Sequence, residues 1–177
     1  MKKLFLLLTI AIAASCTTQV HQSNVLDVVP YPNDVQVGEG VFSAKGAAVA
    51  YDESVDEASA NVIKAFAEKL AFASGVQNTV SVGAADNGFV FTYSAEVPAE
   101  AYTLNVTPEA VRVEASGLRG FNYAIQTIKQ LLPVEIYSAK PAPKASWTIQ
   151  CVTISDAPRY SYRGLHLDEG RHFFGVE

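Results

Sequence analysis

Six ionisable side chains, Arg163, His166, Asp168, Glu169, Arg171 and His172, fall within ten consecutive residues near the end of this chain. They sit in the run DAPRYSYRGLHLDEGRHFF, positions 156–174, whose other residues are largely the aromatic and aliphatic types of a strand. Strand cores rarely hold so many charges, because a buried charge destabilises the fold unless it is paired. Such a density marks the rim of a site. A metal site from His166, Asp168 and His172 is conceivable by residue type. Strand alternation, however, puts His166 and Asp168 on one face and leaves His172 in a loop, at a spacing that resembles no familiar metal site. No metal and no cofactor are expected. The sequence runs only three residues past Phe174, which leaves no room for the rest of such a site. The expectation is the front part of an enzyme that does not work by itself.

The elements before this run must position it. Ser54 and Glu57 match a capping box. Val62, Ile63, Phe66, Leu70 and Ala73 repeat at three and four residues and form one apolar stripe. Gly75 is a natural stop, since it accepts a left-handed backbone without a Cβ clash. A second helix begins near Ser116 or Gly117 and runs to Leu132, ended by Pro133, with Leu118, Phe121, Ile125, Ile128, Leu131 and Leu132 on its apolar face. Strand patterns cover 47–51, 79–82, 89–93, 102–106 and 110–115, the last two joined by a hairpin turn at 107–109. Val111 and Val113 alternate with Arg112 and Glu114, core against solvent. Val35, Val37, Val41 and Phe42, with Gly38 and Gly40 among them, read as two short strands and a turn. Positions 138–146 read as a loop, and 147–155 as a strand leading out of the domain. The sum is an α+β domain, a mostly antiparallel sheet with two amphipathic helices on one face.

Composition narrows the function. Of 177 residues, 49% are hydrophobic and 18% charged, which is a globular composition. The formal net charge of −5 argues against nucleic acid as a partner. Met1, Lys2 and Lys3 make a cationic start, followed by an apolar run of 11 residues from Leu4 to Ala14, interrupted by Thr9. That run is too short to span a bilayer, which takes ~20 residues, and fits the core of a secretory signal. Ala13, Ala14 and Ser15 before Cys16 resemble a bacterial lipobox, which would make Cys16 a lipidated N-terminus. An ordinary signal peptide cut near Ala14 or Cys16 is the alternative. Thr17, where an Asp would retain a lipoprotein at the inner membrane, suggests an exported, outer-membrane-anchored protein. With Cys16 lipidated, Cys151 has no intrachain partner and reads as a small buried apolar residue.

Three segments together resemble the start of bacterial β-N-acetylhexosaminidases of glycoside hydrolase family 20. They are VPYP at 29–32 with GEGVF at 38–42; EAYTLNV at 100–106 leading to SGLRGFNYAIQTIKQLLP at 116–133; and ISDAPRYSYRGLHLDEGRHFF at 154–174. The resemblance covers about residues 28–177 and implies that the small domain precedes a (β/α)8 barrel, with RGLHLD in its first strand. It implies removal of terminal N-acetylglucosamine or N-acetylgalactosamine from glycans with retention. The substrate's acetamido oxygen is then the nucleophile, and a neighbouring Asp-Glu pair supports it. That pair lies far into the barrel in the family, so Asp168-Glu169 is not equated with it, and no catalytic residue is assigned here. Arg163 matches the family's arginine that contacts hydroxyls of the terminal sugar. A guanidinium suits this, since its rigid fork of donors bridges adjacent hydroxyls. An ion pair with Asp168 or at a strand end is the structural alternative. Asp168, Arg171 and His172 match the family pattern too, and are expected to order the loop after that strand.

The expected organisation is a lipoprotein signal over 1–16, a tether over 17–27, the α+β domain over 28–155, and the start of a truncated barrel over 156–177. The expected partners are N-acetylhexosamine-terminated glycans and a lipid anchor. Two other readings stay open: a non-catalytic packing or carbohydrate-binding module of a surface lipoprotein, and the product of a truncated gene. Residues 156–177 are expected to pack poorly by themselves.

Overall fold

A computed structural model describes residues 26–168, 170, 171 and 175. The signal with Cys16, most of the tether, Glu169 and His172 lie outside the described residues. The chain runs β1 (Asp34–Ser43), β2 (Val49–Tyr51), α1 (Glu57–Ser74), β3 (Val80–Val82), β4 (Gly88–Tyr93), β5 (Tyr102–Val106), β6 (Ala110–Ala115), α2 (Leu118–Leu131) and β7 (Thr148–Asp156), with a short 3-10 turn at Val134–Tyr137. The strands form one sheet in the order β1-β7-β5-β6-β4-β2-β3.

The α+β class stands, but the sheet is mixed. β1–β7, β7–β5 and β5–β6 pair antiparallel, while β6–β4, β4–β2 and β2–β3 pair parallel. Parallel partners need a crossover, and α1 supplies it between β2 and β3. In β4, at the middle of the parallel half, Gly88 through Phe91 are buried without a break. β6 keeps the expected alternation, Val111 and Val113 inside and Arg112 and Glu114 outside.

Two further expectations are corrected. Residues 34–43 are one strand, not two with a turn. The register jumps from Val37↔Val152 to Val41↔Gln150, so Gly38, Glu39 and Gly40 bulge opposite Cys151. Gly40 has φ 97°, which a glycine tolerates in a bulge as readily as in a turn. β7 does not lead out of the domain; it lies inside the sheet between β1 and β5.

α1 starts two residues later than the expected capping box. Asp56 is the N-cap, and its carboxylate accepts from the Ser59 backbone N–H at 3.0 Å and the Ser59 hydroxyl at 2.5 Å. The Ser54 N–H instead bonds the Asp52 carboxylate at 2.8 Å, which holds residue 54 in the turn before the helix. Gly75 ends α1 as expected, with φ 71° and its N–H on the Ala71 carbonyl. α2 runs between Gly117 and Leu132, with Pro133 next. Its buried stripe includes Gly120 and Ala124, while Leu118 is exposed. Edge-to-face contacts join Phe42 to Phe89, Phe89 to Phe66, Phe66 to Phe91 and Phe91 to Phe121, tying β1, β4 and both helices into one core.

Beyond Asp156 no strand is described, and residues 159–168 are exposed throughout. The expected barrel strand is not formed among the described residues. A strand is held by a neighbour's backbone groups, and among the described residues none pairs with the RGLHLD run.

Candidate functional site

The sheet ends and α2 meet at a groove of about 580 Å³. One wall is α2, through Tyr123, Thr127 and Gln130; the opposite wall is the segment leaving β7, from Ala157 to Arg163; the leading segment before β1 closes one end. The junction is built from polar contacts between residues far apart in sequence. Asn33 donates its backbone N–H to Asp156 Oδ1 at 3.0 Å and its side-chain amide to the Ala157 carbonyl at 2.8 Å. Gln130 bonds both the N–H and the carbonyl of Val29, at 2.9 and 3.1 Å. At the groove floor the Tyr102 hydroxyl shares a 2.7 Å hydrogen bond with the Thr127 hydroxyl and donates to Asp156 Oδ2 at 3.5 Å. Burial pushes the Tyr102 phenol up to about 12, with the Asp156 charge adding to the shift.

Arg163 lies at the rim. Its Nη2 donates to Glu100 Oε2 at 2.7 Å and to the Tyr123 hydroxyl at 3.3 Å, and its Nη1 donates to the Tyr160 carbonyl. Glu100 Oε1 also binds Arg119 of α2. Hydrogen bonds from Arg163 and then Arg119 hold the Glu100 carboxyl below its usual range, and Glu100 raises the Arg163 guanidinium in turn. The ion pair of Arg163 is therefore with Glu100, not with Asp168. Asp168 instead organises its own turn: its Oδ1 accepts the N–H groups of Gly170 and Arg171 at 3.0 and 3.2 Å, and its Oδ2 lies 3.3 Å from Arg171 Nε. Asp168 and Arg171 are not brought to the groove, and His172 lies outside the described residues.

His166 is exposed, and among the described residues no three His, Cys, Asp or Glu side chains gather closely enough to hold a metal ion. Of the described residues lining the groove, Asp156 is the carboxylate, and it is engaged by Asn33 and Tyr102. The arrangement can orient and hydrogen-bond. It does not present two carboxylates across a cleft, the geometry that glycoside hydrolysis by an acid and a base or nucleophile requires. Cys151 is buried behind the bulge glycines, and burial raises its thiol, followed by the Glu109 charge.

Sequence reading singled out Arg163 but passed over Glu100, Tyr123, Asn33 and Asp156. Glu100 and Asp156 lie inside motifs that stood out, EAYTLNV and DAPRY, yet nothing local reveals a pairing that spans 63 or 123 positions.

The sequence model of the family described as "Glycosyl hydrolase family 20, domain 2" matches residues 25–157. The chain belongs to glycosyl hydrolase family 20. Beta-hexosaminidase subunit A1 of Dictyostelium discoideum is 27% identical over 177 residues, 97% of this chain and 31% of that protein. The beta-hexosaminidase of Vibrio furnissii is 29% identical over 86% of this chain and 23% of its own length. Among solved structures, the Streptomyces plicatus N-acetyl-beta-hexosaminidase in complex with Thio-NAglucal superposes with a TM-score of 0.72 at 29% identity, over 84% of this chain and 29% of that one. The beta-N-acetylhexosaminidase of Bacteroides fragilis gives 0.62 at 27% identity, over 86% and 29%. This family-20 chain thus spans under a third of the length of each of these relatives. No helix among its described residues is long and apolar enough to cross a membrane.

Proposed function

We propose that this chain is the front part of an exo-acting β-N-acetylhexosaminidase that removes terminal N-acetylhexosamine from glycans or chitin-type oligosaccharides, and that residues 1–177 alone are inactive. The observation that carries this reading is the match of residues 25–157, the whole of the α+β domain, to a family-20 domain. The named relatives are hexosaminidases, and one of them holds Thio-NAglucal. In the proposed reaction the acetamido oxygen of the substrate attacks the anomeric carbon as the glycosidic bond breaks. An Asp orients the acetamido group and a Glu protonates the departing oxygen, both supplied by a barrel that follows this domain. Arg163, at the junction, contacts hydroxyls of the terminal sugar.

Reading the coding DNA beyond the codon for Glu177 tests this. The expected result is an in-frame barrel carrying an Asp-Glu pair, with the longer polypeptide releasing p-nitrophenol from its N-acetyl-β-glucosaminide and the 177-residue chain releasing none. A stop codon directly after Glu177, with no hydrolysis, would leave a non-catalytic module.

The location proposed is the bacterial outer membrane, through lipid on Cys16. Support comes from the cationic start, the apolar run and the small residues before that cysteine. Labelled palmitate should enter the wild-type protein and not the Cys16→Ser variant; equal labelling of both overturns the anchor.

A further inference from the structure

Glu100 stands in a conformation that needs a cause. Its φ is 68°, which among the described residues makes it the non-glycine residue with a left-handed backbone. Such a conformation costs free energy for a side chain with a Cβ and persists where its surroundings impose it. The surroundings here are α2. Gly120 lets that helix press against the backbone next to Glu100: a Cβ at position 120 would run into the Ala101 carbonyl and come within 2.9 Å of the Ala115 Cβ. The result is a carboxylate at the rim of the groove, braced on one oxygen by Arg119 and presenting the other to Arg163.

The bonds to Arg163 are distributed unevenly over its guanidinium. Nη2 has both hydrogens engaged, by Glu100 and the Tyr123 hydroxyl, and Nη1 gives one to the Tyr160 carbonyl. A guanidinium carries five N–H groups. Two, one on Nη1 and the one on Nε, make no hydrogen bond among the described residues, and the side chain stays 40% exposed. One end is held and the other is left to bond something else.

We propose that Glu100 is a positioning residue for Arg163, holding its guanidinium by one end so that the remaining donors meet a sugar's hydroxyls at a set place. This rests on the sugar-contact role proposed above for Arg163. The clasp by itself is a property of this chain and can be tested in it.

Trypsin cleaves after an arginine only when the side chain enters its own acidic pocket, so cleavage after Arg163 requires release from Glu100. Arg159, four positions earlier on the same exposed segment, is an internal reference. In the 177-residue chain, Glu100→Gln should raise the ratio of cleavage at Arg163 to cleavage at Arg159 by about two- to five-fold, the range of an exposed ion pair. Tyr123→Phe should raise it less, and it serves alone if Glu100→Gln does not fold. An unchanged ratio in the folded variants overturns the clasp.

In the longer polypeptide, Glu100→Gln should raise KM for the chromogenic substrate by a similar factor with kcat nearly unchanged, the signature of lost binding. An unchanged KM would overturn the positioning role. An inactive wild-type longer polypeptide would instead sink the hexosaminidase reading and with it the sugar-directed part, while the cleavage ratio still decides the clasp.

Discussion

Tyr102 at the start of β5 and Thr127 in the middle of α2 share a 2.7 Å hydrogen bond between their hydroxyls, with the Asp156 carboxylate 3.5 Å from the same phenol. This small network ties a strand, a helix and the end of the last strand at the floor of the groove. Tyr102→Phe removes the phenol oxygen and should lower the unfolding free energy by about 1 kcal/mol at neutral pH, read from urea titrations.

The same residue predicts a pH dependence. Its folded pKa lies near 12, above the unfolded value of 10.0. The stability that comes from keeping the phenol neutral is therefore whole below pH 10 and is lost as pH rises toward 12. The loss amounts to roughly 2–3 kcal/mol. Tyr102→Phe has no such loss, so the two stability curves should cross near about pH 11. Parallel curves up to pH 12 would contradict a buried, neutral Tyr102.

The α1 cap separates two readings of one stretch. Asp56→Ala should cost about 1 kcal/mol, because it frees the Ser59 N–H at the helix start. Ser54→Ala should stay within about 0.5 kcal/mol, as a surface change away from the cap. The Ser59 hydroxyl and N–H hold the Asp56 carboxyl below its usual value. Its contribution is thus present above the ordinary carboxyl range and fades as pH falls through and below it. A larger loss from Ser54→Ala than from Asp56→Ala would restore the capping box.

Gly120→Ala pits two effects against each other. Alanine favours a helix interior by about 1 kcal/mol, but the added methyl meets the Ala101 carbonyl and the Ala115 Cβ. Overpacking of this kind costs about 1–3 kcal/mol, occasionally more, and the contact with a backbone atom cannot be relieved by a rotamer change. The net should be destabilising, and thermal denaturation gives the sign directly.

Cys151 should be a protected thiol. It is 4% exposed and its pKa is raised, and the thiolate is the reactive form. In a Cys16→Ser background, iodoacetamide should label the native chain roughly a hundred-fold or more slower than the urea-unfolded chain, as opening is rare in a stable domain. Comparable rates would mean that the bulge side of β7 opens freely.

What could be read from sequence was what is local. Gly75 and Pro133 end helices through their own backbones, so those boundaries needed no partner. The β5–β6 hairpin is likewise short-range, and Val111 and Val113 fell on the buried side as their alternation required. What escaped depends on neighbours. The parallel pairing of β4 with β2 and β6 turns on which strands meet, and GFVF at 88–91 is compatible with several arrangements. Gly38 and Gly40 suit a turn and a bulge equally, and Cys151 across the ladder decides between them. The groove is the extreme case. Arg163 stood out because charges crowd its segment, but Glu100 lies 63 positions away in a stretch with no excess of charge.

The place of β7 between β1 and β5 also shapes how the chain can acquire its structure. Delivered N-terminus first, by a ribosome or through a translocation channel, β1 appears early and its hydrogen-bonding partner appears last. At typical synthesis rates the gap between residues 43 and 148 lasts on the order of 5–20 s. For that interval Val35, Val37, Val41 and Phe42 belong to an unpaired strand. A nascent chain halted before Thr148 could build the β3–β2–β4–β6–β5 portion but would leave β1 without its ladder. Arrest of translation on either side of β7 would therefore separate a chain with a sticky leading strand from one that has closed its sheet.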